Sequence, residues 1–313
     1  MRAVFFGTPQ WAVPSLEALV RSGVKVEAVV TQPDRPAGRG MELTAPPVKG
    51  CAAEAGLDVV QPERVRDPAF AAWLAERSPD VCIVVAYGKI LPGELLGIPR
   101  LGFVNVHFSV LPEYRGAAPV QRAILDGRSE TGVSIMVLTE GMDEGPVLAA
   151  RTEKIREEDT AGSLGARLAE AGAGLLVKIL PRYDSGDILP AEQDHARATY
   201  APRITSEDAR VDWKLPARRI RDLVRGLNPA PGAWTTFRGR RLKLHRVELV
   251  EDSGTSLDLA PGHISVSLVG GDLVAGTGDV PLRIVEAQLA GKTRMTGADL
   301  ARGLRSRPGE VLE

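Results

Sequence analysis

Residues 101–112 read "LGFVNVHFSVLP". Without Asn105 and His107 the run is an ordinary apolar strand between Gly102 and Pro112. The two polar residues are two positions apart, so in a strand both side chains leave the same face. Burying a polar group costs free energy unless it meets a partner. Two of them on one face, near a strand's carboxyl end, are either bonded core residues or residues aimed at a ligand.

The sequence on either side makes this strand one of a set. Apolar runs at 2–6, 24–30, 57–60, 80–86, 132–138 and 147–155 read as strands. Between them lie helical patterns. Residues 11–23 carry Val13, Leu16, Leu19 and Val20 at helical spacing and stop at Gly23. Residues 48–56, 68–77 and 118–127 read the same way. Residues 160–180 form a long helix with Leu164, Leu168, Leu175 and Ile179 along one stripe and Thr160 as its N-cap. Strands alternating with helices predict a Rossmann-like α/β domain, with a mainly parallel sheet covered on both faces. Ligands bind such sheets at the carboxyl ends of the strands, which is where Asn105 and His107 fall.

The pattern changes near Ser185. Residues 185–208 have no sustained period and read as a linker over the surface. A short helix at 216–227 and strands near 233–237, 241–250, 262–269, 272–278 and 280–289 follow, which predicts a small OB-like β-barrel. The expected organisation is a catalytic domain over 1–184, a linker over 185–208 and a barrel domain over 209–313.

The chain has 313 residues and a net charge of −1, yet residues 209–248 hold eleven basic side chains against three acidic ones. A basic patch on a small barrel is an electrostatic footprint for nucleic acid, or else a solvated charged face. Cys51 and Cys82 are the two cysteines, neither in a metal-binding or redox spacing, which suits a reducing cytoplasm. No metal is expected. There is no signal-peptide layout and no apolar run of membrane-spanning length.

Several chemistries fail on sequence. "GTPQWA", residues 7–12, has one glycine where a dinucleotide fingerprint needs three. No P-loop, H-E-x-x-H or G-x-S-x-G is present. What remains is the Asn–His pair. An amide and an imidazole side by side donate to an oxygen that becomes negative, and the imidazole handles a proton near neutrality. A carboxylate that orients the ring would complete such a site. Asp143 is a candidate, and Glu140 and Glu144 are its rivals on sequence alone. His195 reads as solvent-facing, and Trp11, Trp73, Trp213 and Trp234 as core or partly buried anchors.

These residues have a familiar setting. "NVHFSVLPEYRGAAPVQRAI", residues 105–124, resembles the signature of the folate-dependent formyltransferases, N-x-H-x-S-x-L-P-x-x-x-G. "FFGTPQWAVPSLEAL", "TQPDRPAGRGMELTAPPVK", "VVAYGKILP", "TGVSIMVLTEGMDEGPVL", "RVDWKLPA" and "RGLNPAPGAWTTF" resemble further blocks of the branch that acts on initiator methionyl-tRNA, in order along nearly the whole chain. The resemblance implies formyl transfer from 10-formyltetrahydrofolate to methionyl-tRNA by a cytoplasmic monomer. It implies Asn105, His107 and Asp143 as the catalytic trio, and Ser109, Val110, Leu111 and Pro112 as residues lining the folate site. Tyr87–Pro92 is implied as a loop beside the pterin. The loop Pro33–Pro47 is implied as the tRNA-acceptor loop, with Arg39 on its functional arginine. Its prolines and glycines argue against a helix or regular strand there. Arg240, Arg241 and Lys243 within the basic segment 209–248 are taken as tRNA-binding residues. Phe108 departs from relatives, which commonly have Gly, and predicts an altered packing contact. An amino-sugar formyltransferase would share the trio without needing the basic segments; an RNA-binding protein with an inert first domain would not need the trio.

Overall fold

The computed structural model describes residues 1–37, 42–250, 259–266, 271, 273–304 and 309–313. Arg39 lies outside the described residues. The chain forms two compact units. The first is Met1–Pro119, Glu130–Lys154 and Gly165–Ala201; the second is Val120–Ser129, Ile155–Leu164 and Pro202–Glu313.

In chain order the first half contains β1 (Arg2–Gly7), α1 (Val13–Arg21), β2 (Lys25–Val30), β3 (Arg35–Ala37), β4 (Glu42–Thr44), α2 (Pro47–Glu54), β5 (Val59–Val60), α3 (Pro68–Glu76), β6 (Val81–Val85), α4 (Gly93–Leu96), β7 (Phe103–His107), α5 (Pro119–Leu125), β8 (Glu130–Val137), β9 (Val147–Lys154) and α6 (Ala161–Asp184). One seven-stranded sheet runs β5-β2-β1-β6-β7-β8-β9. Its first five strands are parallel, and β8 and β9 are antiparallel additions. The order reverses between β1 and β6, opening a crevice at their carboxyl ends. β6 is buried at all five positions, which explains its unbroken apolar run.

The helices follow their stripes with two adjustments. In α1, Val13, Leu16 and Leu19 are buried while Val20 is 40% exposed. In α6 the inner stripe is Leu164, Leu168, Leu176 and Leu180, with Leu175 half-buried, and the Thr160 hydroxyl caps the helix by accepting from Ser163 N–H at 3.1 Å. The proline-rich loop does hold strand: β3 and β4 pair as a two-stranded ribbon with Pro36 opposite Leu43. Both strands of such a ribbon are edges, so a proline whose missing N–H faces outward is tolerated. The segment read as a linker stays in the first unit as far as Ala201. Ala191 and Val147 exchange backbone hydrogen bonds, and Arg115 N–H donates to Thr199 O at 2.9 Å.

The second unit contains α7 (Ala217–Gly226), β10 (Ala233–Phe237), β11 (Arg240–Leu249), β12 (Ile264–Val266), β13 (Leu273–Ala275), β14 (Leu282–Leu289), β15 (Met295–Thr296) and α8 (Gly297–Leu304). Its antiparallel sheet runs β10-β11-β14-β13-β12, with β15 on β14. The C-terminal residues close the barrel. Leu312 bridges Phe237, at the end of β10, and Val311 bridges His263, just before β12. Ala233, Thr235 and Phe237 alternate inward on β10, as do Leu242 and Leu244 on β11. A bulge after Leu244 then shifts the inward position to Val247. Among the described residues no helix is long and apolar enough to cross a membrane.

Candidate active site

Asn105 and His107 leave the same face of β7 and are 9% and 6% exposed. Both line a cleft of about 540 Å³ in the first unit, between Tyr87–Leu91, which follows β6, and Leu138–Asp143, which follows β8. The Asn105 amide has no hydrogen-bond partner among the described residues. The amide is open to the cleft and free to bond whatever enters it.

The His107 ring is held from two sides. Nε2 lies 2.9 Å from the Tyr114 carbonyl oxygen, and Nδ1 lies 3.6 Å from Asp143 Oδ2. Only the Tyr114 contact is a hydrogen bond, so Nδ1 faces the carboxylate without being tied up by it. Asp143 Oδ2 also accepts from Gly116 N–H at 2.8 Å. Gly116 has φ 118 and would place a Cβ 2.8 Å from the Ala201 carbonyl oxygen, so only glycine brings this N–H to the carboxylate.

The loop bearing Asp143 leaves β8 at Val137, opposite Val104, whereas His107 stands opposite Ser134, three residues along the ladder. The loop therefore runs about 10 Å along β7 to bring its carboxylate to the ring. It is pinned where it starts and ends by Leu138 N–H to Phe103 O and Val137 N–H to Pro146 O. Glu140 and Glu144 are exposed. Glu140 folds toward Gly93, and Glu144 folds back on Gly141. Among the three acids, Asp143 alone is paired with His107.

Ser109, Val110, Leu111 and Pro112 are not among the residues lining the cleft. The Ser109 hydroxyl is fully buried and donates to Glu113 O at 2.6 Å. Val110 packs where a side chain on Gly132 would go. Ser134 Oγ donates to Ser109 O and accepts from Leu111 N–H. These four residues form a turn that carries the chain back from the end of β7, so that Tyr114 and Gly116 reach His107 and Asp143. The loop after β6 is in the cleft wall. Tyr87 packs edge-on against Phe6, and its hydroxyl has no hydrogen-bond partner among the described residues. Burial pushes that phenol up to about 12, so it stays neutral. Lys89 Nζ donates to the Pro62 and Glu63 carbonyls at 2.7 and 2.8 Å, and burial holds its pKa below the ordinary value.

Phe108 packs edge-on against Trp11, with ring centroids 5.9 Å apart. Trp11 in turn occupies the space beside Gly165, where a Cβ would lie 2.1 Å from the indole. The expected packing contact is thus an aromatic pair seated on a helix glycine.

Two family models cover most of the chain: formyl transferase over residues 1–180, and formyl transferase, C-terminal domain, over residues 203–305. The chain belongs to the formyl transferase family. It is 49% identical to a methionyl-tRNA formyltransferase of Streptomyces griseus subsp. griseus and 50% identical to one of Streptomyces avermitilis, in each case over 100% of this chain and 99% of the relative. The fold matches HypX from Aquifex aeolicus in complex with tetrahydrofolic acid, with a TM-score of 0.67 at 20% identity. That match covers 99% of this chain, which spans about half (48%) of HypX. It also matches a methionyl-tRNA formyltransferase from Clostridium thermocellum, with a TM-score of 0.57 at 16% identity over 81% of this chain and 95% of that one.

The second unit of this formyl transferase sorts its basic side chains into two groups. Arg218 and Arg221 share Glu157, Arg225 pairs with Asp222, Arg238 with Glu310, and Arg246 with Glu248. Arg240, Arg241 and Lys243 have no carboxylate partner among the described residues. Arg240 donates to Ala290 O, Lys243 donates to Pro231 O, and Arg241 lies 4.0 Å from the Trp234 ring centroid. Arg241 and Lys243 stand opposite Thr236 and Trp234 on the outer face of the barrel. His195, read as solvent-facing, is exposed, and its Nδ1 nevertheless lies 3.2 Å from Arg115 Nη2. Among the described residues no cluster of His, Cys, Asp and Glu forms a metal site.

Proposed function

We infer that this chain transfers the formyl group of 10-formyltetrahydrofolate to the α-amino group of methionine on initiator methionyl-tRNA. The observation that carries the reading is the unpartnered Asn105 amide in a cleft beside an imidazole held by Tyr114 and Asp143. The cleft suits a folate: Val84, Leu91, Leu96 and Leu138 give it apolar walls, and a few polar groups converge in it.

The free amine attacks the formyl carbon and the carbonyl oxygen becomes an oxyanion. Asn105 N–H and His107 Nδ1, the ring nitrogen without a hydrogen bond, donate to that oxygen, each contact worth about 3–4 kcal/mol when well placed. Asp143 balances the charge on the ring and orients it. Collapse breaks the bond to the folate nitrogen, which gains one proton as the amine loses one. The charged His107 gives its Nδ1 proton to the departing folate nitrogen, and the neutral Nδ1 then takes the proton the amine loses. No covalent enzyme intermediate is needed.

Ser109–Pro112 act from behind the site by setting the turn, while Tyr87–Leu91 lie against the folate. Arg240, Arg241 and Lys243 contact tRNA phosphates. Arg39, on the strength of the family match, engages the acceptor end. One chain is taken as the working unit. A reducing cytoplasm suits its two free cysteines. The test offers 10-formyltetrahydrofolate with charged initiator tRNA or with an amino-sugar nucleotide. Formylmethionyl product at the higher kcat/KM is expected. Faster formylation of the sugar would refute the acceptor assignment, and no product from either would refute formyl transfer.

A further inference from the structure

Arg115 is 2% exposed and is the largest fully buried side chain among the described residues. Its guanidinium has no carboxylate within ion-pair distance among them. A buried charge without a counter-ion is expensive, so stability alone does not account for it. Its Nε and Nη2 both donate to Gln193 Oε1, at 3.1 and 2.7 Å. Gln193 is itself buried, and its Nε2 donates to the carbonyls of Asp143 and Gly145 at 2.9 and 2.6 Å. Asp143 has φ 50, a left-handed conformation that costs a non-glycine residue energy and needs holding.

An amide has a donor end and an acceptor end, whereas a guanidinium only donates. Arg115 therefore takes the oxygen of Gln193 and turns its NH2 toward the two carbonyls. A flipped amide would face Arg115 with a donor and the carbonyls with an acceptor. Arg115 also lies between Tyr114, whose carbonyl holds His107, and Gly116, whose N–H holds Asp143. We propose that Arg115 and Gln193 are positioning residues: the guanidinium fixes the amide, and the amide fixes the strained loop that sets Asp143 against His107.

This inference rests on the role given to Asp143, and the test separates the two. Gln193→Glu supplies Arg115 with a carboxylate but donates nothing to the loop carbonyls. Single-turnover formylation, folate binding and thermal unfolding are measured for the full chain, in wild-type and Asp143→Asn backgrounds. The rate should fall about 10- to 100-fold, as for a catalytic group displaced by an ångström or less. Folate affinity and unfolding temperature should hold, and the Asp143→Asn background should show no further loss. A normal rate for Gln193→Glu, or the same fold-loss in both backgrounds, overturns this inference alone. A normal rate for Asp143→Asn overturns the catalytic reading and this inference together. If Gln193→Glu does not fold, Arg115→Met with Gln193→Leu removes charge and donors at once and must give the same pattern.

Discussion

Replacing Arg240, Arg241 and Lys243 together with Ala tests whether this end of β11 contacts RNA. The three cations are anchored by a carbonyl, an aromatic ring and a second carbonyl, so none is offset by a carboxylate among the described residues. Each phosphate contact releases about 0.7–0.9 counterion, and three contacts steepen the dependence of log affinity on log salt by roughly 2–3. Over a tenfold rise in salt the wild type should then lose roughly 100- to 500-fold more affinity than the triple variant. A matched triple variant, Arg218, Arg221 and Arg246 to Ala, removes cations already paired with Glu157 or Glu248 and should flatten the slope much less. Fluorescence anisotropy with labelled initiator tRNA across a salt series gives both slopes. An unchanged slope in the first variant, or an equal change in both, would refute the phosphate contacts.

Phe108→Ala removes a buried ring from its edge-on contact with Trp11 and should cost about 3 kcal/mol in urea unfolding. Its single-turnover rate should fall far less than that of Asp143→Asn, because the trio is untouched. Gly165→Ala drives a methyl into the Trp11 indole and should destabilise by about 1–3 kcal/mol on the same assay. The Asp279 carboxylate accepts from Ala217 N–H at the start of α7 and from Val280 N–H, which holds its pKa below the ordinary value. A depressed folded-state value contributes stability that is present above the unfolded value, about 3.9, and is lost as pH falls through the folded one. Melting curves of wild type and Asp279→Asn should therefore differ at neutral pH and converge in acid.

The alternation of strands and helices and the face shared by Asn105 and His107 were legible because both follow from fixed periods. Choosing Asp143 over Glu140 and Glu144 on the residues alone was not. It depends on a left-handed backbone at Asp143 and on a loop that runs back along β7. Arg115 and Gln193 escaped notice because each is polar in a segment that reads as loop, and their burial comes from tertiary packing. The ribbon of β3 and β4 was hidden by prolines that an edge permits. α8 did carry a signal, since Thr296 and Asp299 form a capping box, with Asp299 N–H donating to the Thr296 hydroxyl at 3.1 Å. The closing bridges at Val311 and Leu312 lie in a stretch too short to show a period.

The central claim is that Asn105, His107 and Asp143 stabilise charge that develops only as the formyl group moves. The most direct measurement is single-turnover formylation of charged initiator tRNA by the wild type and by Asp143→Asn, with folate and tRNA affinities measured on the same preparations. The account predicts formylmethionyl-tRNA from the wild type, a rate lower by about 100-fold or more in the variant, and both affinities retained. A variant that turns over at the wild-type rate, or one whose loss lies wholly in substrate binding, would contradict it.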